Sequence, residues 1–267
     1  MMKLPKISDE GRRVDRERIT GSKMPLLAEG ARDLGITLSA GQLEQFDLYY
    51  RELTDWNKRA NLTAVTGREE TQVRHFLDSL TVCLPYRKEP DAPLDTLAGV
   101  ARVVDVGSGA GFPGLPVKLA FPHLELHLIE SVGKKTAFLE HLTGLLELEG
   151  VTVHTGRAEA LARQPELRES FDLALVRGVA RLSLLLEYAL PFCRVGGKAL
   201  ALKHGGLEQE LAEAGFALSE LGGARGDVLP VTLAGLTDNR VVAAFEKDAP
   251  TPHRYPRRVG IPAKRPL

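Results

Sequence analysis

Short apolar runs alternating with helical stretches beyond residue 101 predict an α/β fold: a doubly wound, mostly parallel Rossmann-like sheet with a small helical domain in front. Three observations carry that expectation. Segments 102–106, 124–129, 151–154, 171–176, 198–202 and 240–246 have the texture of strands. Helical spacing lies between them, as where Phe138, Leu142, Leu145 and Leu146 line one side. A glycine-rich run, Asp105-Val-Gly-Ser-Gly-Ala-Gly-Phe-Pro-Gly114, follows the first strand directly. Strand, helix, strand in this rhythm demands right-handed crossovers and a sheet covered on both faces.

The front elements follow from local signals. Residues 1–30 are polar and without periodicity, and read as a flexible extension. Ser39-Ala-Gly-Gln42 has the form of a capping box, after which Leu43, Phe46, Tyr50 and Leu53 recur at helical intervals. A second helix is expected over 69–84, with Val73, Phe76, Leu77, Leu80 and Leu84 on one face. Between the two lies the polar stretch Asn57-Lys-Arg-Ala-Asn-Leu-Thr63. Prolines 85, 90 and 93 among acids mark 85–98 as a linker. The expected plan is thus extension 1–30, helical region 31–84, linker 85–98, an α/β domain 99–248 and a basic, proline-rich tail 249–267, extended rather than helical.

Composition narrows the class. A chain of 267 residues with 43% apolar content buries a core without staples. Two cysteines, Cys83 and Cys193, are too few for a disulfide framework or a cysteine-rich metal site, and they suit a reducing compartment. No uncharged run reaches the span of a membrane helix, so a cytoplasmic protein is expected, with no membrane partner and no metal. The net charge of zero conceals an asymmetry: residues 1–23 carry +3 and residues 249–267 carry +5, leaving −8 between them. Positive ends suit a polyanionic partner as well as they suit solvated tails.

The glycine run implies a nucleotide-like ligand. Its glycines allow a tight turn and close backbone approach, and a following helix offers free N–H groups, with Pro113 suited to its first turn. The dinucleotide fingerprint would need a third glycine where Phe112 stands. The loop reads instead as acid-x-Gly-x-Gly-x-Gly, the form found in S-adenosylmethionine-dependent methyltransferases. Glu130, 23 positions beyond Gly107, ends the second strand, where a carboxylate accepts both hydroxyls of a ribose. An NAD-linked enzyme would share that acid. Gly156-Arg-Ala-Glu159 borders the adenine position, Ala158 and Glu159 offering backbone or carboxylate. Arg177 at the fourth strand's end can pair with a carboxylate, a phosphate or a purine face; its alternative is an ion pair with a neighbouring acid. Lys203 and His204 end the fifth strand on the same edge. His75 reads as a packed or capping histidine.

Five segments together resemble one family: 105–114, Asn61-Leu-Thr-Ala-Val65, His75-Phe-Leu-Asp-Ser-Leu80, Arg177-Gly-Val-Ala180 and the tail Tyr255-Pro-Arg-Arg-Val-Gly-Ile-Pro-Ala-Lys-Arg-Pro266. From about Leu43 onward the chain is similar to the bacterial 16S ribosomal RNA guanine-N7 methyltransferases, also called glucose-inhibited division protein B. The resemblance implies a class I methyltransferase sheet and S-adenosylmethionine as cofactor. It also implies methylation of one guanosine near the decoding region of the small ribosomal subunit. Gly107, Phe112, Glu130, Ala158, Glu159 and Arg177 match the family's cofactor-contacting positions; Ser108, Gly109 and Ser131 adjoin them. On the substrate side the expected residues are Asn61, Thr63, Arg177, Lys203, Arg257 and Arg258, with 16S RNA or the small subunit as partner and the enzyme a monomer. Asn61 and Thr63 read equally well as a helix-ending turn with local caps. A small-molecule or protein acceptor and a non-catalytic RNA-binding role remain open at this stage.

Overall fold

Period-two alternation sorts the strand residues onto two faces, and each face has its own helices. Val103, Leu173, Leu175, Leu200, Leu202 and Val242 pack into one apolar cluster. Their neighbours Val104, Ala174, Val176, Ala201 and Ala243 pack into the other. The computed structural model describes residues 23–87, 97, 99–178, 180–205, 207–236 and 238–267. Residues 1–22 of the expected extension, 88–96 and 98 of the expected linker, and Val179 lie outside the described residues.

The strands are β1 (Arg102–Val106), β2 (Glu125–Glu130), β3 (Val151–Thr155), β4 (Phe171–Arg177), β5 (Cys193–His204), β6 (Gly223–Pro230) and β7 (Arg240–Lys247). They form one sheet in the order β3-β2-β1-β4-β5-β7-β6, parallel through β5, with β7 antiparallel to β5 and β6 antiparallel to β7. The order reverses between β1 and β4, so the crossovers diverge there and leave a crevice at the strands' carboxyl ends. Strand β6 was not foreseen: Gly223-Ala-Arg-Gly-Asp-Val-Leu-Pro230 carries two glycines and no apolar alternation, and it is a strand because β7 pairs with it.

The first face is covered by α1 (Pro25–Asp33), α2 (Ala40–Ala60), α3 (Arg68–Thr71), α4 (Asp78–Leu80), α5 (Gly114–Ala120) and α6 (Gly133–Leu145). The expected helix 69–84 is a helical run from Arg68 to Tyr86, in which a π turn, Gln72–Leu77, separates α3 from α4 and a 3-10 turn follows. The capping box forms: Ser39 Oγ accepts from Gln42 N at 3.2 Å and Gln42 Oε1 from Ser39 N at 2.8 Å. Gln42 Nε2 also donates to Leu119 O at 2.7 Å, which ties the start of α2 to the end of α5. Phe46, Tyr49, Phe76 and Leu80 share one core with Leu115, Phe138 and the sheet, so the helical region is a layer of the fold rather than a detached unit.

Three expectations need correction. The flexible extension does not reach residue 30, because Met24, at the N-cap of α1, and Leu27 and Ala28 within it are buried and Leu27 N donates to Gln72 Oε1. Leu145 lies off the apolar side of α6 and is 41% exposed, while Phe138, Leu142 and Leu146 are buried. Pro113 sits at the N-cap of α5 rather than inside its first turn.

The second face is covered by α7 (Ala158–Leu161), α8 (Leu182–Ala189), α9 (Glu208–Glu213), α10 (Gly215–Leu221) and the C-terminal segment. That segment is not a free tail. Arg163 donates to the carbonyls of His253, Arg254 and Pro256, and Arg168 to those of Thr251 and Tyr255. Tyr255 is buried, and Ile261–Lys264 forms a last helical turn, α11, with Pro262 in it, against the extended expectation.

Candidate active site

The loop after β1 is fixed from below and above. Gly107 N and Ser108 N donate to Ile129 O at 2.8 and 3.0 Å, which ties the loop to β2. Gly111, at φ +97°, leaves room for Tyr49, whose hydroxyl donates to Ala110 O at 2.6 Å; a Cβ there would lie 2.6 Å from the Tyr49 oxygen. Asp105 Oδ2 accepts from Gly114 N at 2.9 Å, anchoring the start of α5. Its Oδ1 is buried with no hydrogen-bond partner among the described residues, and burial pushes the carboxyl up to about 7.

The crevice beside this loop encloses about 320 Å³. Of the residues expected to contact a cofactor, Gly107, Glu130, Ser131, Ala158, Glu159 and Arg177 line it. Ser108, Gly109 and Phe112 do not. The Ser108 hydroxyl turns inward to Asp105 O at 2.9 Å, and the Phe112 ring is buried behind the loop. Glu130 is more committed than expected. Its carboxylate already accepts from Gly109 N at 3.0 Å, Ser131 N at 2.7 Å and Val132 N at 2.8 Å. With roughly four lone-pair sites on a carboxylate, it cannot take two ribose hydroxyls without releasing one of these bonds. The Glu159 carboxylate is buried too; Oε1 accepts from Gly260 N at 2.9 Å, which leaves the backbone of Ala158 and Glu159 for the crevice.

Behind Arg177, on the front-helix side of the crevice, lies a buried charged and aromatic cluster. Arg177 lies over the Phe112 ring at 4.9 Å and donates to Asp78 Oδ2 at 3.3 Å, the ion pair weighed as its alternative reading. His75 stacks on Phe112 at 4.4 Å and Tyr49 lies parallel to it at 5.4 Å. His75 Nδ1 is 3.1 Å from Arg74 O and Nε2 is 2.7 Å from Thr63 Oγ1. The carbonyl can only accept, so Nδ1 carries the proton and Nε2 accepts from the threonine hydroxyl. Burial, helped by Arg177, lowers the imidazole to about 3. Sequence reasoning set His75 aside and never weighed Asp78. The signal was available in His75-Phe-Leu-Asp78, whose spacing puts both side chains on one helix face.

The expected substrate residues divide. Asn61 caps α2 in the left-handed conformation and is exposed, and its side chain makes no hydrogen bond among the described residues. Thr63 is engaged with His75 and with Val65 N, and Asn57 Oδ1 accepts from Leu62 N and Thr63 N, so local caps build this turn. Lys203 is corrected: it is 6% exposed, with Nζ 2.9 Å from both Ala180 O and Glu210 Oε2. Arg257 is corrected as well, because its guanidinium forks onto the fully buried Glu187, Nη2 to Oε2 at 2.6 Å. Arg258 stands exposed.

A sheet of this order, an acid–glycine loop after β1 and a carboxylate closing β2 define a class I S-adenosylmethionine-dependent methyltransferase. The chain belongs to the family of rRNA small subunit methyltransferase G (GidB), whose sequence profile matches residues 42–229. A Ribosomal RNA small subunit methyltransferase G from Roseiflexus castenholzii is 46% identical over 237 residues, 89% of this chain and 97% of that protein. One from Roseiflexus sp. is 47% identical over 244 residues, 91% of this chain and all of that protein. A third, from Dehalococcoides mccartyi, is 45% identical over 241 residues, 90% and 98% of the two chains. The oxidoreductase alternative ends here. The residues present fit S-adenosylmethionine: Gly107, in the crevice lining, has open space where a Cβ would project, and Arg177 brings donors to the same crevice.

Proposed function

We propose that this chain methylates N7 of one guanosine in 16S ribosomal RNA near the decoding region, acting as a cytoplasmic monomer on RNA or on the small subunit. The observation that carries the reading is the crevice beside the glycine loop, lined by Gly107, Glu130 and Arg177, with Arg177 backed by Phe112 and Asp78, in a chain of this family. Among the described residues no helix is long and apolar enough to cross a membrane.

S-adenosylmethionine supplies a methyl group on a positively charged sulfur. Guanine N7 has a free lone pair and loses no proton on attack, so the chain needs no general base. His75 suits such a site, since both its nitrogens are occupied and it stays neutral. The chain's task is to orient. In our reading Gly107, Glu130, Ser131, Ala158, Glu159 and Arg177 hold the donor, the glutamates through the backbone they order. Asn61, at the edge of the front layer, meets the base. Orientation of this kind is worth on the order of 7–11 kcal/mol when the reacting atoms are aligned. The methylated ring gains a positive charge, which nearby carbonyls stabilise.

The test is transfer of labelled methyl from S-adenosylmethionine to small subunits and to purified ribosomal RNA from cells lacking the protein, with digestion to locate the label. Label in N7-methylguanosine of small-subunit RNA is expected. Label elsewhere, or none despite cofactor binding, sends the acceptor to another class. Asn61→Ala should lower transfer and leave cofactor affinity intact; equal loss of both would make the turn a folding element only.

A further inference from the structure

The geometry points to Asp78 as the positioning residue of Arg177: it fixes the guanidinium in the crevice wall so that its remaining donors meet a carboxylate-bearing ligand there. This rests on the reading that Arg177 contacts the methyl donor.

The Arg177 side chain makes one hydrogen bond among the described residues, to Asp78 Oδ2 at 3.3 Å. Its second restraint is the Phe112 ring, over which it lies at 4.9 Å. A stacked guanidinium still rotates in its own plane, so the carboxylate is what sets which N–H groups face the crevice. Asp78 is itself immobile. It is 2% exposed, and the same Oδ2 accepts from Arg240 Nη1 at 2.6 Å. Arg240 is held in turn, with Nε and Nη2 forked onto Asp238 at 2.9 and 3.2 Å. The front helical run therefore reaches both β4 and β7 through one oxygen, and of the two arginines only Arg177 lines the crevice.

A merely structural Asp78 would bind the front layer to the sheet through Arg240 as much as through Arg177. The two roles separate in a set of variants, Asp78→Asn, Arg240→Gln, Arg177→Ala and the double variant Asp78→Asn/Arg177→Ala. S-adenosylhomocysteine affinity is read by calorimetry and folding by thermal melting. If Asp78→Asn does not fold, Asp78→Glu, with the same charge one methylene further out, replaces it. Loss of a charge-assisted bond predicts about tenfold weaker binding for Asp78→Asn and for Arg177→Ala. The double variant should be no weaker than Arg177→Ala alone. Arg240→Gln, which removes one restraint on Asp78 but leaves its bond to Arg177, should lower the melting temperature and weaken affinity less than Asp78→Asn does. Unchanged affinity in Asp78→Asn, equal losses in Asp78→Asn and Arg240→Gln, or additive losses in the double variant would each overturn the assignment. Unchanged affinity in Arg177→Ala would overturn the reading beneath it, and the assignment with it.

Discussion

The two walls of the crevice are held by different chemistry. On the front side, side-chain charges and rings meet directly: Arg177 on Asp78 and Phe112, His75 on Phe112 and Thr63, Tyr49 on the loop carbonyl. On the far side, behind the lining residues Ala158, Glu159 and Tyr188, the C-terminal segment takes many of its bonds through its main chain. Arg163 and Arg168 donate into its carbonyls, and Glu159 accepts from the Gly260 N–H. A side-chain network concentrates specificity in a few positions, whereas main-chain bonds spread it over many. Single substitutions should therefore break the front wall and only loosen the far one.

The largest effect is expected at Gly111. A Cβ there meets Leu115 Cδ1 at 2.5 Å and the Tyr49 hydroxyl at 2.6 Å, at a backbone angle of +97° that side chains rarely adopt. Gly111→Ala should cost at least about 3 kcal/mol in denaturant unfolding, because strain and overpacking coincide. A loss below about 1 kcal/mol would mean that the front wall yields as readily as the far one.

On the far wall, Arg257→Ala removes the guanidinium from Glu187 yet leaves that carboxylate its bond from the residue-257 N–H. The arginine is also partly open to solvent. We expect a loss of about 1–2 kcal/mol in the same unfolding assay, with kcat unchanged. A loss matching that of Gly111→Ala would erase the contrast between the walls.

Six of the seven strands were legible because alternation is a local property: Val103 and Val104 announce opposite faces from their order alone, whereas β6 has no such pattern. The glycine loop and Glu130 were legible for the same reason, since their spacing lies within one βαβ unit. The far wall was not. Five basic residues and no acid in 249–267 read as a free cationic tail, and nothing local says that Arg254 meets Glu220 and Arg257 meets Glu187. Asp78 was missed because its partners, Arg177 and Arg240, lie 99 and 162 positions away. The partners of Lys203 show the converse error: a lysine at the functional edge of the sheet is spent on Ala180 O and Glu210.

Acid should act on the front wall through two groups of opposite sign. His75 is lowered from 6.5 to about 3, so the unfolded chain takes up a proton the folded one refuses, and stability is lost as pH falls below about 6.5. Asp105 is raised from 3.8 to about 7, so its contribution is present at low pH and is lost as pH rises through about 7. Between roughly pH 4 and 6.5 the two largely cancel. His75→Gln removes one side of that balance. Relative to the parent it should gain stability on acidification, by up to about 1.4 kcal/mol per pH unit, in urea titrations at pH 7 and pH 5. Parallel profiles for the two proteins would place the His75 ring in water, not in the wall.

The smallest effect concerns the outer surface of the far wall. Of the five basic residues in the C-terminal segment, Arg254 and Arg257 are paired with glutamates, whereas Arg258, Lys264 and Arg265 are exposed without an ion pair among the described residues. Only unpaired cations release counterions from RNA in full when they meet its phosphates. Neutralising Arg258, Lys264 and Arg265 together should reduce the slope of log affinity against log salt by up to about 2, at roughly 0.7 per phosphate contact on single strands. Replacing Arg254 with Gln should leave that slope nearly unchanged, since its charge is already met by Glu220. An equal change from both sets of substitutions would mean that the segment leaves the body when RNA binds, and that the main-chain bonds of the far wall are the ones that open.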